Sequence, residues 1–278
     1  MTQRTILITG ASDGIGAAAA RSLAARGERL LLVGRTTEKL HAVAGPLGAE
    51  AFAADFEDLS QVRAAAAWVL ERTDHLEVLA NNAGGVFAER KITPDGHERT
   101  MQVNHYAGFL LTQLLMDSLL AARGVVVNTS SVGAHAFGRL RMDDLDASRK
   151  YRAMKAYGDS KLANILHVQG LHTRYHERGL AAVAIHPGNI SSNFAQETGS
   201  ALMRLIYKTP VSRLLSPAQF GADNLLWAMD SVAKEPGMSG HYFTEHRRPP
   251  RTPHPQEDDV RLVEALWAES ARRVGVEG

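Results

Sequence analysis

The chain of 278 residues contains no cysteine. Disulfide bridges, thiol nucleophiles and cysteine-ligated metals are therefore excluded from the outset. An excess of either charge is also missing. There are 31 lysines and arginines against 30 aspartates and glutamates, a formal net charge of +1. That balance gives no electrostatic case for nucleic acid or an anionic membrane surface as partner. No apolar run reaches the roughly 18 residues that a membrane-spanning helix needs. The opening MTQRTILITG passes directly into a strand-like segment, without the apolar stretch of a signal peptide. No Pro/Ser-rich linker, internal repeat or low-complexity segment divides the chain, and its 45% hydrophobic content is enough for a substantial core. The expectation is a single domain over 1–278 in a soluble, cytoplasmic protein.

What is present is a regular alternation. RTILITG (4–10), RLLLVGR (29–35), AEAFAAD (49–55), LEVLANN (76–82), GVVVNTS (124–130), AAVAIHP (181–187) and SGHYF (239–243) read as strands. Their near-continuous Val, Ile, Leu and Ala content is that of strands buried on both faces. Helical patterns lie between them, near 14–26, 37–45, 59–73, 95–121, 151–178, 217–230 and 257–274. Strand alternating with helix implies parallel strands joined by right-handed crossovers. The predicted architecture is α/β, a Rossmann-type doubly wound parallel sheet of about seven strands with helices on both faces.

The first strand runs into TGASDGIG, in which Gly10, Gly14 and Gly16 follow a G-x-x-x-G-x-G spacing. Such glycines let the chain turn off the strand, bring backbone N–H groups to a pyrophosphate and pack the helix on the sheet. The helix then faces the phosphates with its positive end. Ser12, Asp13 and Ile15 complete that turn. The second strand ends at Arg35, with no carboxylate before Glu38. An acidic residue there would bind the adenosine ribose, whereas an arginine accommodates a 2′-phosphate. The position argues for NADP, with NAD as the alternative, although Asp13 beside the turn is not the basic residue that would reinforce it. Asp55 and Phe56 end the third strand, at the adenine edge. Asn82, Ala83 and Gly84 end the fourth, where small residues let the backbone lie against a cofactor.

In AYGDSKLANIL, Tyr157 and Lys161 stand four residues apart in a helical run and can point at one target. The motifs TGASDGIG, NNAG, QVNHYAG, VNTSS, YGDSK and HPG occur in this order, each at a strand end or on the expected helix. Together they resemble the short-chain dehydrogenase/reductase family along nearly the whole length. AYGDSKLANIL, IHPG and the tail from SGHYF to ALWAESARRVG look most like the retinol dehydrogenase-like branch.

The resemblance implies hydride transfer between a nicotinamide cofactor and a carbonyl or alcohol. It implies Tyr157 as general acid/base and Lys161 as the ammonium that favours its phenolate and holds the nicotinamide ribose. It also implies Ser131, with Ser130 as fallback, as the hydroxyl that positions the substrate oxygen, and Asn104 as anchor of a water in the proton path. Pro187, Gly188, Ile190 and Ser192 match the family's contact to the nicotinamide amide. The polar insertion 133–155 is shared with the retinol dehydrogenase-like branch.

Two long connections break the rhythm. One is that insertion; the other, 189–217, is rich in apolar residues and reads as a substrate-loop insertion. Leu202, Leu205 and Ile206 share a helical face there, which predicts that 193–216 is a lid for a lipophilic small-molecule substrate. The same face could instead pack permanently on the sheet or on a partner subunit of a homo-oligomer. EHRRPPRTPHP (245–255) reads as a solvated loop, and His167, His172 and His176 as helix-surface histidines without a third metal ligand. Ser131 with His135 and Asp143 lacks the G-x-S-x-G elbow of a hydrolase. His105 reads as a residue that helps to line the pocket. A non-catalytic dinucleotide-binding regulator, and a double-bond reductase or epimerase on the same scaffold, are the competing functions.

Overall fold

The computed structural model of the protein describes residues 3–189, 216–257 and 259–277. Seven parallel strands form one sheet: β1 (Thr5–Thr9), β2 (Arg29–Gly34), β3 (Glu50–Ala53), β4 (Val78–Asn81), β5 (Val125–Thr129), β6 (Ala181–Ile185) and β7 (Tyr242–Phe243). Their spatial order is β3-β2-β1-β4-β5-β6-β7. The winding reverses between β1 and β4, and in open α/β sheets the crevice at that reversal is where ligands bind.

The period of two along each strand distributes side chains to two cores. Leu7, Leu79 and Val126 enter one, while Ile6, Ile8, Val78, Val125 and Val127 enter the other. The first core is closed by α3 (Leu59–Leu70), α5 (Ala107–Leu114) and α8 (Ala153–Tyr175), and by the C-terminal α10 (Val260–Val274). The second is closed by α1 (Gly14–Ala24), α2 (Thr37–Leu47) and α9 (Ala218–Val232). Each fully buried Leu, Ile or Val contributes roughly 1.5–3 kcal/mol through apolar burial, so a sheet covered on both faces is a rigid platform for the loops at its strand ends.

Some boundaries differ from the sequence expectation. The helix expected from 95 begins only at Arg99, after Gly96 takes φ +84° and Glu98 caps the amides of Thr100 and Met101 at 2.9 and 3.0 Å. After α4 (Arg99–Met101) the backbone widens into a π-helical turn over Gln102–Tyr106 before α5, and α6 (Met116–Ala121) follows a break at Leu115. Such turns occur mostly inside helices and frequently at functional sites. The insertion after β5 opens with a short helix, α7 (Val132–Phe137), capped by Ser131. Farther along, Asp146 accepts two bonds from Arg273 Nη1 at 2.9 and 2.8 Å, which ties the insertion to α10.

His167 is not a surface residue. It is buried under α10, with its ring 5.0 Å from that of Phe109 and 5.8 Å from that of Trp267, and Nδ1 is 3.1 Å from Asn128 Nδ2. An added C-terminal helix covered a face of α8 that its own sequence leaves mixed in polarity. His172 and His176 are half-buried, and no group of metal-ligating side chains occurs among the described residues. His254, inside the mostly exposed 245–255 loop, is buried against the Gly138 carbonyl. No helix among the described residues is long and apolar enough to cross a membrane.

Candidate active site

The ends of β1 and β4 are sewn together at the crevice. Thr9 Oγ1 accepts the amides of Asn82 and Ala83, both at 3.0 Å, and Asn82 Nδ2 donates to Thr9 O at 3.0 Å. Gly10 leaves β1 with φ +67°, and a Cβ there would lie 2.9 Å from Ala83 Cα. Gly16 faces the Gly10 carbonyl too closely for any side chain. Turn, helix and β4 end therefore meet through backbone, as a phosphate-binding turn requires. Asp13 caps α1 by accepting the Gly14 amide at 2.7 Å, and Ile15 is half-buried against the second core. Asp13 also brings negative charge to that turn.

Ser12 Oγ packs over Gly34, buried and without a hydrogen-bond partner among the described residues. A buried hydroxyl left this way is costly unless a ligand or water completes it. Arg35 follows immediately, exposed at the end of β2. Asp55 accepts the Glu57 amide at 3.0 Å. The Phe56 side chain packs with the buried core residues and its carbonyl takes Gln102 Nε2 at 3.2 Å. After β6, the Pro187 carbonyl accepts Asn224 Nδ2 at 3.2 Å and Gly188 has φ +107°. Ile190, Ser192 and the expected lid, apart from Ser216, lie outside the described residues.

The other half of the site assembles on α8. Tyr157 and Lys161 lie one turn apart, both buried, with Lys161 Nζ 5.7 Å from the centre of the Tyr157 ring. Nζ donates to the Thr129 carbonyl at 3.0 Å. Burial pulls the lysine down to about 8 from its ordinary 10.5. Ser130 is turned away, donating to the Lys161 carbonyl at 2.7 Å. Ser131 instead faces Tyr157, and its Oγ accepts the Gly133 amide at 3.0 Å. From the position of a Cβ on Gly133, Tyr157 Cε1 would be 3.0 Å away and Ser131 Oγ 3.4 Å. From that of a Cβ on Gly84, Asn104 Oδ1 would be 2.9 Å and Lys161 Nζ 3.0 Å. Two glycines thus mark the spaces around which Asn104, Ser131, Tyr157 and Lys161 converge.

Asn104 lies in the π-helical turn. Its Oδ1 accepts the Gly85 amide at 2.8 Å, and its Nδ2 donates to Gly85 O and Ser160 Oγ, both at 2.9 Å. The amide is nearly saturated, with one oxygen lone pair left over. His105 points the other way, buried between Asn164 and Ser270, and does not line the pocket. Three features here were not read from sequence. These are the main-chain carbonyl of Thr129, the glycine contact between α7 and α8, and Asn164, although the spacing of Tyr157, Lys161 and Asn164 (i, i+4, i+7) could have placed the last on the same helical face.

The model of the family described as short chain dehydrogenase matches residues 4–202. The chain belongs to that family. A protein of Streptomyces sp. (strain C5), named as a daunorubicin C-13 ketoreductase, is 40% identical over 98% of this chain and 93% of its own length. Human retinol dehydrogenase 13 is 36% identical over 99% of this chain and 85% of its own. Among solved structures, an uncharacterized protein from Mycobacterium paratuberculosis is 30% identical and superposes with a TM-score of 0.75, covering 99% of this chain and 95% of that one. The 3-ketoacyl-(acyl-carrier-protein) reductase of Brucella melitensis, solved with NADH, shares the fold at 21% identity, with a TM-score of 0.67 over 87% of this chain and 96% of its own. This short-chain dehydrogenase is therefore an NAD(P)-dependent oxidoreductase acting on CH–OH or C=O groups.

Proposed function

We propose that the protein is an NADP-dependent carbonyl reductase or alcohol dehydrogenase for a lipophilic small molecule. The observation that carries the chemistry is the convergence of Ser131, Tyr157, Lys161 and Asn104 around the Gly84 and Gly133 spaces. A bound nicotinamide supplies or takes up the hydride. Ser131 Oγ, whose accepted bond comes from Gly133 N, keeps its proton to donate to the substrate oxygen and hold it before Tyr157. Tyr157 gives that oxygen its proton in reduction and removes it in oxidation. The nearby Lys161 ammonium favours the phenolate, which brings an ordinary phenol, with a reference value of ~10, toward the working range. The remaining Oδ1 lone pair of Asn104 is where a water would sit on the path that returns the proton.

The fit of NADP rests on Ser12 and Arg35. The Ser12 hydroxyl, without a hydrogen-bond partner among the described residues, lies over Gly34, and exposed Arg35 is the next residue, at the end of β2 where the 2′-phosphate of the cofactor would lie. Asp13, Gly14 and Gly16 would meet the pyrophosphate, Asn82 to Gly84 the nicotinamide ribose, and Pro187 and Gly188 the carboxamide. The lipophilic substrate is supported by α7, which follows Ser131 and carries Val132 and Phe137 at 49% and 47% exposure. Relatives named as retinol dehydrogenases are consistent with an apolar substrate body.

The test follows NADPH and NADH absorbance with purified protein against aldehydes and ketones of graded polarity. Turnover with apolar aldehydes or ketones, faster with NADPH, is the expected result. A panel in which small polar carbonyls outperform every apolar one overturns the substrate class, and cofactor binding without any turnover favours the regulator reading.

A further inference from the structure

The mechanism leaves unused a file of buried polar side chains behind the catalytic residues. It begins on α10, where Ser270 is completely buried with its Oγ 2.9 Å from His105 Nε2. His105 Nδ1 is 3.3 Å from Asn164 Oδ1. Asn164 Nδ2 donates to the carbonyls of Asn104, at 3.0 Å, and Thr129, at 3.2 Å. The Thr129 carbonyl is the oxygen that also takes Lys161 Nζ.

The donor sense of the file follows from chemistry. Two carbonyls can only accept, so the amide nitrogen of Asn164 must face them and its oxygen must face His105. An amide oxygen can only accept, so His105 carries its proton on Nδ1. The Nε2 atom is then an acceptor and takes the Ser270 hydroxyl proton. Burial holds His105 down at about 4, so the ring stays neutral and keeps this single tautomer. Every bond therefore runs in one direction from α10 to the active site, and every member is satisfied. Such a network specifies one arrangement, because reversing any member leaves a buried group unpaired.

We infer that Asn164 is a positioning residue for the proposed chemistry, bridging the Asn104 turn and the Thr129 carbonyl so that Lys161 and Asn104 are held in register, with its own amide oriented from the C-terminal helix through His105 and Ser270. The inference rests on the proposed function for its catalytic consequence, but its geometric content stands apart from it. The file is not a proton wire, because main-chain carbonyls at its inner end have no proton to pass on. Its work is to hold two atoms at fixed places. Misplacement by about 1 Å costs on the order of 10²-fold in rate.

The experiment compares Asn164→Leu, Ser270→Ala and His105→Asn with the unaltered enzyme. His105→Asn is the conservative variant, since its amide can still donate toward Asn164 from the Nδ1 position. Thermal melts establish that each variant is folded. Steady-state rates use NADPH with 4-nitrobenzaldehyde, and the Lys161 titration is followed by NMR of enzyme labelled with ¹³C at the lysine Cε, assigned by its loss in Lys161→Met. For Asn164→Leu, kcat should fall roughly ten- to a hundred-fold with little change in KM for the aldehyde. Its Lys161 midpoint should move by more than about half a pH unit. Ser270→Ala should show a smaller loss of the same kind, and His105→Asn should retain most of the rate. A folded Asn164→Leu enzyme with kcat and Lys161 midpoint both unchanged overturns the inference. If the unaltered enzyme turns over no carbonyl, the proposed function fails while the NMR titration still decides the positioning role.

Discussion

Gly158 lies so close under α7 that a Cβ on it would stand 2.7 Å from the carbonyl oxygen of Gly133 and 2.6 Å from the amide nitrogen of Gly138. Both atoms are backbone and cannot swing aside. The residue after Tyr157 therefore sets how near α7, with Ser131 at its cap, approaches α8.

Gly158→Ala should push α7 outward and separate Ser131 from Tyr157. Overpacking of this kind costs typically 1–3 kcal/mol. We expect a lower Tm together with a fall in kcat of at least about ten-fold, because the hydroxyl and the phenol no longer meet one oxygen. Ala at Gly45 inside α2, where an added Cβ meets nothing within 4 Å, is the control and should leave the rate unchanged without lowering the Tm, a small rise being expected for alanine in place of a helix-interior glycine. Differential scanning fluorimetry and initial rates on the two variants decide it.

Tyr157→Phe should retain cofactor binding and lose turnover. A positioned general acid contributes ~10²–10⁴-fold, and the phenyl ring preserves the packing beside Gly133. Fluorescence titration with NADPH and stopped-time assays separate the two effects. A variant that keeps near-original turnover would remove Tyr157 from the chemistry.

The cofactor preference should follow Ser12 and Arg35. A hydrogen bond to a charged group contributes about 1.5–3 kcal/mol, so NADPH should bind roughly ten- to a hundred-fold more tightly than NADH. Arg35→Ala should erase most of that ratio by weakening NADPH alone. Equal affinities in the unaltered protein, or an unchanged ratio in Arg35→Ala, would show that the 2′-phosphate is not read there.

Lys161→Met should abolish turnover and yet raise the melting temperature near neutral pH. Burial brings the lysine from 10.5 to about 8, a cost to the folded state on the order of 3 kcal/mol while the amine is charged in both states. The methionine removes that cost, and Thr129 O keeps its bond from Asn164, so a net rise of a few degrees is expected. The sign reverses the usual case of a stabilising ion. Above about pH 8 the folded lysine releases its proton while the unfolded one holds it until about 10.5, so the unamended protein gains stability as pH rises. The advantage of Lys161→Met should shrink across that window. Melts of both proteins at about pH 7 and pH 9.5 test it, and a difference that grows with pH would contradict the buried charge.

Much of this protein was legible in one dimension because its determinants are local or periodic. Continuous apolar runs such as Ile6–Ile8 and Val125–Val127 require strands covered on both faces, and alternation with helices leaves a parallel sheet as the outcome. Glycine spacing at Gly10, Gly14 and Gly16 carries its own steric reason, and Tyr157 and Lys161 share a face by helical geometry. Other features depend on which distant segments meet. His167 went to the core because a helix far along the chain covered it, and nothing in its neighbours in sequence required it. The bond from Ser270 to His105 spans 165 positions, and that from Asn164 to the Asn104 carbonyl spans 60. The π-helical turn that presents Asn104 likewise belongs to the packing of α4, α5 and α8 and has no signature of its own. Residue types and their spacing settle which groups the site contains; only long-range burial, by forcing each polar atom to find a partner, settles how they are aimed.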